Sequence, residues 1–211
     1  MKTCAIIIMV LLCSVTSTAQ QIIEKNLSFS GKESLELDIQ IADSINLQTW
    51  NRDEVYLKAS VNINDNEDNE AYVTSFDESG NSVKVNAKFR ENYFKGRNNR
   101  CTETDIYWQV YIPAKARFSI ETINADITIT GETERMNVKS ISGYIDLEVP
   151  ENQPADIEFS TITGTVYTNH DLTPEKMSRG IPSVIKEKMN NGGPLIRLET
   201  ISGDIFFRKS V

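Results

Sequence analysis

His170 is the single histidine of the chain, and it follows an alternating run between Asn169 and Asp171. A nucleophile-histidine-acid triad or a histidine-based metal centre would have to be built on that one ring. No nucleophile stands at motif spacing from it, so a surface loop histidine is the expected reading. Cys101 has Arg97 and Arg100 for neighbours, a basic setting in which thiols can react. No base accompanies it in sequence, and an incidental thiol is expected. Six carboxylates, Glu121, Asp126, Asp146, Glu158, Glu199 and Asp204, recur at related positions. Glycoside hydrolysis would need two of them ~5 to 9 Å apart across a bound sugar. Acidic residues on the wet face of a strand need no such role. The run Asp65-Asn-Glu-Asp-Asn-Glu70 offers oxygen ligands for calcium, but it lacks the glycine and the spacing of a calcium loop and reads as a solvated turn. Nothing here calls for a cofactor or a metal.

One segment does suggest binding. Arg90, Tyr93, Phe94, Lys95, Arg97 and Arg100 gather cations and aromatics in one loop of an otherwise acidic chain. Charge and stacking together could hold an envelope glycan, an anionic polymer or a partner protein. Alternation lapses after Phe89 and resumes at Ile106, so packing does not obviously require these aromatics.

The formal charge of the 211-residue chain is -8, which argues against nucleic acid as a partner, because phosphate neutralisation needs clustered Lys and Arg. At the amino terminus, Lys2 precedes the apolar run Ala5 to Leu12, and Ser17-Thr-Ala19 provides small residues for cleavage. Residues 1–19 therefore read as a signal peptide, the mature chain starts at Gln20, and loss of Lys2 takes the charge from -8 to -9. Leu12 is too large for the residue that precedes a lipidated cysteine, so soluble export, to the periplasm or cell surface, is favoured over a lipid anchor at Cys13. The run is also short for a membrane span, and no second one follows. Cys4 and Cys13 leave with the leader, so Cys101 has no internal disulfide partner.

The elements that must position these residues are strands. Leu35 to Ile41, Val55 to Ile63, Val83 to Phe89 and Ile106 to Ile112 alternate apolar and polar residues, the mark of strands with one buried face. The C-terminal half then repeats one frame four times: Phe118 to Ile129, Met136 to Leu147, Ile157 to Thr168 and Ile196 to Phe207. Each copy runs apolar-x-apolar-x-(Ser/Thr)-Ile, then a polar residue, then Gly143, Gly164 or Gly203, with Ala125 in the first copy. Buried parity slips by one residue within each copy, so the chain must bend there. A small residue just past the bend allows positive φ or close backbone approach. Thr122, Ser140, Thr161 and Thr200 are expected to form a column at the corner, and Ile123, Ile141, Ile162 and Ile201 a second, inward column. A period near twenty residues suits short-strand rungs of a β-solenoid stacked about 4.8 Å apart, with residues 115–211 carrying the clearest repeats. The long gap before the last copy, residues 171–195, reads as one non-β insertion. Thr173-Pro-Glu resembles a helix start, and Asn190-Asn-Gly-Gly-Pro194 forms the return.

Ile106-Tyr-Trp-Gln-Val-Tyr-Ile-Pro113, the Ile-Ser-Gly-x-Ile copies, and Gly192-Gly-Pro-Leu-Ile-Arg-Leu-Glu-Thr-Ile-Ser-Gly-Asp-Ile205 resemble the bacterial putative-adhesin domain family, a domain of unknown function. Ser44 to Trp50 with Val55-Tyr-Leu57 resembles its amino-terminal rungs. The resemblance implies a right-handed β-helix-like solenoid on the cell envelope, with no catalytic residue. The expectation is thus an all-β chain with one solenoid domain over residues 20–211, acting as a non-enzymatic envelope or surface binding module. The alternatives are a carbohydrate-active solenoid enzyme and a structural spacer.

Overall fold

A computed structural model describes residues 20–95, 101–114, 116–172, 176–177 and 183–210. The leader expected at residues 1–19 lies outside them. The described chain is all-β, with one 3-10 turn at Asn69–Ala71. Its strands are β1 (Gln21–Ser28), β2 (Ser34–Ile39), β3 (Ile41–Trp50), β4 (Glu54–Ile63), β5 (Tyr72–Asp77), β6 (Ser82–Phe89), β7 (Thr104–Pro113), β8 (Arg117–Thr130), β9 (Met136–Ser142), β10 (Ile145–Val149), β11 (Ala155–Thr161), β12 (Val166–Thr168), β13 (Lys176–Met177), β14 (Ser183–Met189), β15 (Leu195–Ser202) and β16 (Ile205–Lys209). They form one open hydrogen-bonded network that does not close on itself.

Each repeat supplies two strands meeting at a bend, so the network has two arms. One arm runs β5-β6-β2-β8-β9-β15-β11-β14-β13, and the other runs β1-β4-β7-β3-β8-β10-β16-β12. The long strand β8 belongs to both: its first half pairs with β2 and β9, its second with β3 and β10. Residues of alternate parity fill the space between the arms. Phe118, Ile120, Met136, Val138, Ile196, Leu198, Ile157 and Phe159 come from the first, and Ile127, Ile129, Ile145, Leu147, Ile205 and Phe207 from the second, all in one buried cluster. Full burial of such a side chain contributes about 1.5–3 kcal/mol, and that burial holds the two arms together.

The corner departs from expectation in one respect. Thr122, Ser140, Thr161 and Thr200 do stack, as the registers Thr122↔Ser140, Ser140↔Thr200 and Thr200↔Thr161 require, and they are buried. The isoleucines that follow them are not inward: Ile123, Ile141, Ile162 and Ile201 are 46%, 47%, 44% and 45% exposed. In the first copy Thr122 faces in, Ile123 and Asn124 both face out, and Ala125 faces in again. Two consecutive outward residues make the bend, so the parity slip falls one residue later than the sequence frame suggests. The cause is polar. Three of the four inward hydroxyls meet backbone carbonyls at the bend, as an isoleucine in their place could not, while the buried Thr200 Oγ1 has no hydrogen-bond partner among the described residues. Thr122 Oγ1 donates to the Gln40 carbonyl (3.3 Å), Ser140 Oγ to that of Ser142 (2.6 Å) and Thr161 Oγ1 to that of Gly203 (3.3 Å).

The small residues after the bend are required by contact. A Cβ on Gly143 would stand 2.2 Å from the Ala125 carbonyl oxygen, one on Gly203 1.9 Å from that of Gly143, and one on Gly164 1.8 Å from that of Gly203. Only Gly143 of the three also has a positive φ, 97°.

The expected non-β insertion is a correction. Thr173-Pro-Glu175 lies outside the described residues, but β14 pairs antiparallel with β11 from Ala155↔Met189 to Thr161↔Ser183, and β13 pairs with β14. The return turn takes left-handed backbone at Asn190, Asn191 and Gly192. The chain then enters between existing strands, with β15 between β9 and β11, and β16 between β10 and β12. The fourth repeat therefore sits between the second and the third.

Candidate binding groove

The outward isoleucines line up because the strands bearing them are parallel and in register. The paired residues on either side place Ile123 beside Ile141 and Ile141 beside Ile201, and Ile162 follows one residue past the paired Thr161↔Thr200. Gln40 continues the row, its carbonyl accepting the Ile123 and Asn124 N-H groups. A second row lies two residues back along each strand: Asp38, Glu121, Lys139, Glu199 and Ser160. The two rows border a groove of about 470 Å³ running across the strands. Its apolar wall is a continuous line of half-exposed isoleucine, which leaves on the order of 1 kcal/mol of hydrophobic stabilisation unrealised at each position. Single exposed apolar residues are ordinary, whereas these four stand in one ordered file.

Charge along the groove is uneven. Three of its four charged residues are acidic. Lys139 Nζ lies 3.8 Å from Glu121, and Glu199 lies 3.7 Å from Arg197. At the β2 end, Asp38 and Glu121 also border a second depression of about 310 Å³ with Glu36, Lys84 and Ser119. Lys84 pairs with Glu36 at 2.9 Å, and hydrogen bonding from Lys84 holds the Glu36 carboxyl below the usual range. Asp38 has no ion pair among the described residues, so this end is the acidic one.

The other sequence candidates fare differently. All six recurring carboxylates have partners. Asp146 takes two hydrogen bonds from Arg208, at 2.8 and 2.6 Å, and Glu158 lies 3.0 Å from Arg197 and 3.3 Å from Lys186. Partial burial pushes Glu158 up, but the hydrogen bonds from Arg197 and Lys186 outweigh it and hold its carboxyl below the usual range. Asp126 accepts the Tyr144 N-H and Asp204 the Thr165 N-H, and Glu121 and Glu199 have the pairs given above. Apart from Glu199 with Arg197, both on β15, these contacts tie neighbouring strands or turns together. His170 is a correction: it is 7% exposed, with its ring stacked on Phe207 at 4.3 Å between centroids. Burial lowers its pKa below the usual imidazole range. Cys101 is exposed and free. The turn after Asn64 holds Asn64, Asp65 and Asn66 in left-handed backbone, and buried Asn69 accepts the Ile63 N-H at 2.8 Å.

In the basic loop, Arg90, Phe94 and Lys95 are exposed, while Arg97 and Arg100 lie outside the described residues. Tyr93 departs from the reading that packing does not need it. Its ring stacks on Phe89 at 5.0 Å, it packs against the core, and its hydroxyl accepts a hydrogen bond from Asn64. Sequence reasoning missed a second surface cluster, in which Tyr167 stacks on Phe206 at 5.1 Å and Tyr144 meets Phe206 edge-on at 6.0 Å. The available signal was an aromatic shortly after the glycine in three copies.

No family model matches the chain, and no curated protein matches it significantly. Among solved structures, a putative cell adhesion protein from Clostridium sporogenes aligns over 91% of this chain and 100% of its own at 11% identity, with a TM-score of 0.53. That likeness is one of fold. A putative adhesin from Parabacteroides merdae and a putative lipid binding protein from Parabacteroides distasonis each align over 90% of this chain and 97% of their own. Their identities are 10% and 9%, and their TM-scores are 0.28 and 0.26. Among the described residues no helix is long and apolar enough to cross a membrane.

Proposed function

We propose that this chain is a non-enzymatic, adhesin-like binding module of the cell envelope or surface, and that it binds through the corner groove. The observation that carries this reading is the file of four half-exposed isoleucines held in register by parallel strands. A core would bury them and a bare spacer would replace them with polar residues. The partnering of the recurring carboxylates supports a binding module over a glycoside-cleaving enzyme, because a general acid needs a carboxyl free to hold and release a proton. The same proposal takes residues 1–19 as an export leader, residues 20–211 as one domain, and the bent rungs as turns of a right-handed β-helix-like solenoid whose last coil is interleaved. The loop from Arg90 to Arg100 is a secondary contact. The test is a binding and turnover screen of residues 20–211 against a glycan array and purified envelope proteins, with the Ile141→Asp, Ile201→Asp double variant alongside. The expected result is a ligand bound by the native chain, lost in the variant, and recovered unaltered. A product released from any glycan would establish the enzyme instead, and no ligand at all would favour the spacer.

A further inference from the structure

We propose that the groove receives an amphipathic α-helix of a partner protein, with one apolar residue per turn against each isoleucine and a basic end over Asp38 and Glu121. This rests on the groove being the binding surface, and two features of it select the occupant. The first is spacing. Adjacent strands lie about 4.8 Å apart, so Ile123, Ile141, Ile201 and Ile162 form a file with that repeat. A helix presents an apolar residue roughly every 5.4 Å along one face, and over three steps the two files diverge by only about 2 Å. An extended peptide repeats its same-face side chain at roughly 6.8 Å and drifts by more than one isoleucine over the same length. Helix-in-groove recognition uses such i, i+4, i+7 anchors.

The second feature is charge. Asp38, Glu121 and Glu199 outnumber Lys139 along the groove, and in the depression that continues it at the β2 end Glu36 is paired with Lys84 while Asp38 has no ion pair among the described residues. Lysine or arginine in the last helical turn would meet that end and would also complement the helix's own C-terminal dipole. A second copy of this chain fits less well. A two-fold pairing of the groove with itself would set its carboxylates against one another.

The experiment is fluorescence anisotropy on residues 20–211 with a labelled synthetic peptide of about 16 residues. It carries leucine at i, i+4, i+7 and i+11 and lysines in the last turn. A scrambled peptide of the same composition and the dye Nile red, which is apolar but has no repeat, serve as comparators. The patterned peptide is expected to bind at least about ten-fold tighter than the scrambled one, to lose binding in the Ile141→Asp, Ile201→Asp variant, and to weaken several-fold, with less salt dependence, in the Asp38→Lys, Glu121→Lys variant. Circular dichroism checks that the variants fold, with Ile141→Ser as a milder substitute. Equal binding of patterned and scrambled peptides, or none of either, overturns the helix. If Nile red still binds in an isoleucine-dependent way, the groove survives as a site for another apolar ligand; if it does not, both proposals fall.

Discussion

Gly203 shows how tightly the corner is specified. A Cβ there would meet the Gly143 carbonyl oxygen at 1.9 Å, a backbone atom that cannot swing aside as a side chain would. Gly203→Ala is expected to cost about 3 kcal/mol or more, read as a shift in urea midpoint; a loss within experimental error would mean that the rungs do not approach there. The outward isoleucines should behave oppositely. Ile141→Ala should cost less than about 1 kcal/mol, whereas Ile127→Ala, fully buried, should cost about 2–5 kcal/mol. His170 gives a pH signature. Burial lowers its folded-state pKa, with Lys209 adding to the effect and a backbone hydrogen bond at Arg208, then Glu151 and Asp171, opposing it. The unfolded chain therefore binds the proton first as pH falls, so this contribution to stability is complete above about pH 6.5 and is lost below it. His170→Phe, which keeps the stack on Phe207, should flatten the stability profile below about pH 6.5, and an unchanged profile would place the ring in water.

At the scale of elements, alternation was legible in β2, β4, β6 and β7, because each has one wet face and one buried face. The corner was legible in part. The hydroxyl and glycine columns followed from the repeat, but the isoleucine column did not, because apolar character alone cannot say on which side of a bend a side chain lies. The deciding information is the hydrogen bonding of Thr122, Ser140 and Thr161 to carbonyls at the bend, which is a property of the folded corner. Residues 171–195 misled for a related reason: Thr173-Pro suggested a cap, while Ser183–Met189 finds its partner in β11, far enough back in the chain that no local pattern announces it. A difference in local stability should follow. Strand β15 has full partners on both sides, and β14 has one full partner and the two-residue β13. Amide exchange in β15 should be at least about ten-fold slower than in β14; equal protection would argue that β14 is covered by something further.

For the whole molecule, two arms of strands close on one core, and the seam along which they meet turns an apolar file to solvent. The order of the repeats in space, first, second, fourth, third, was not legible, because equivalent copies offer nearly equivalent neighbours and only the route of the intervening hairpin selects among them. The binding function proposed for the groove stands on the corner isoleucines facing outward as one surface. The most direct test of that orientation is thiol labelling of the native protein in a Cys101→Ser background, with cysteine placed singly at Ile141, Ile201 and the buried Ile127. Ile141→Cys and Ile201→Cys are expected to react with a maleimide at rates close to those of an unfolded chain, while Ile127→Cys reacts only on unfolding. Protection of Ile141→Cys and Ile201→Cys to the level of Ile127→Cys in the folded protein would contradict it.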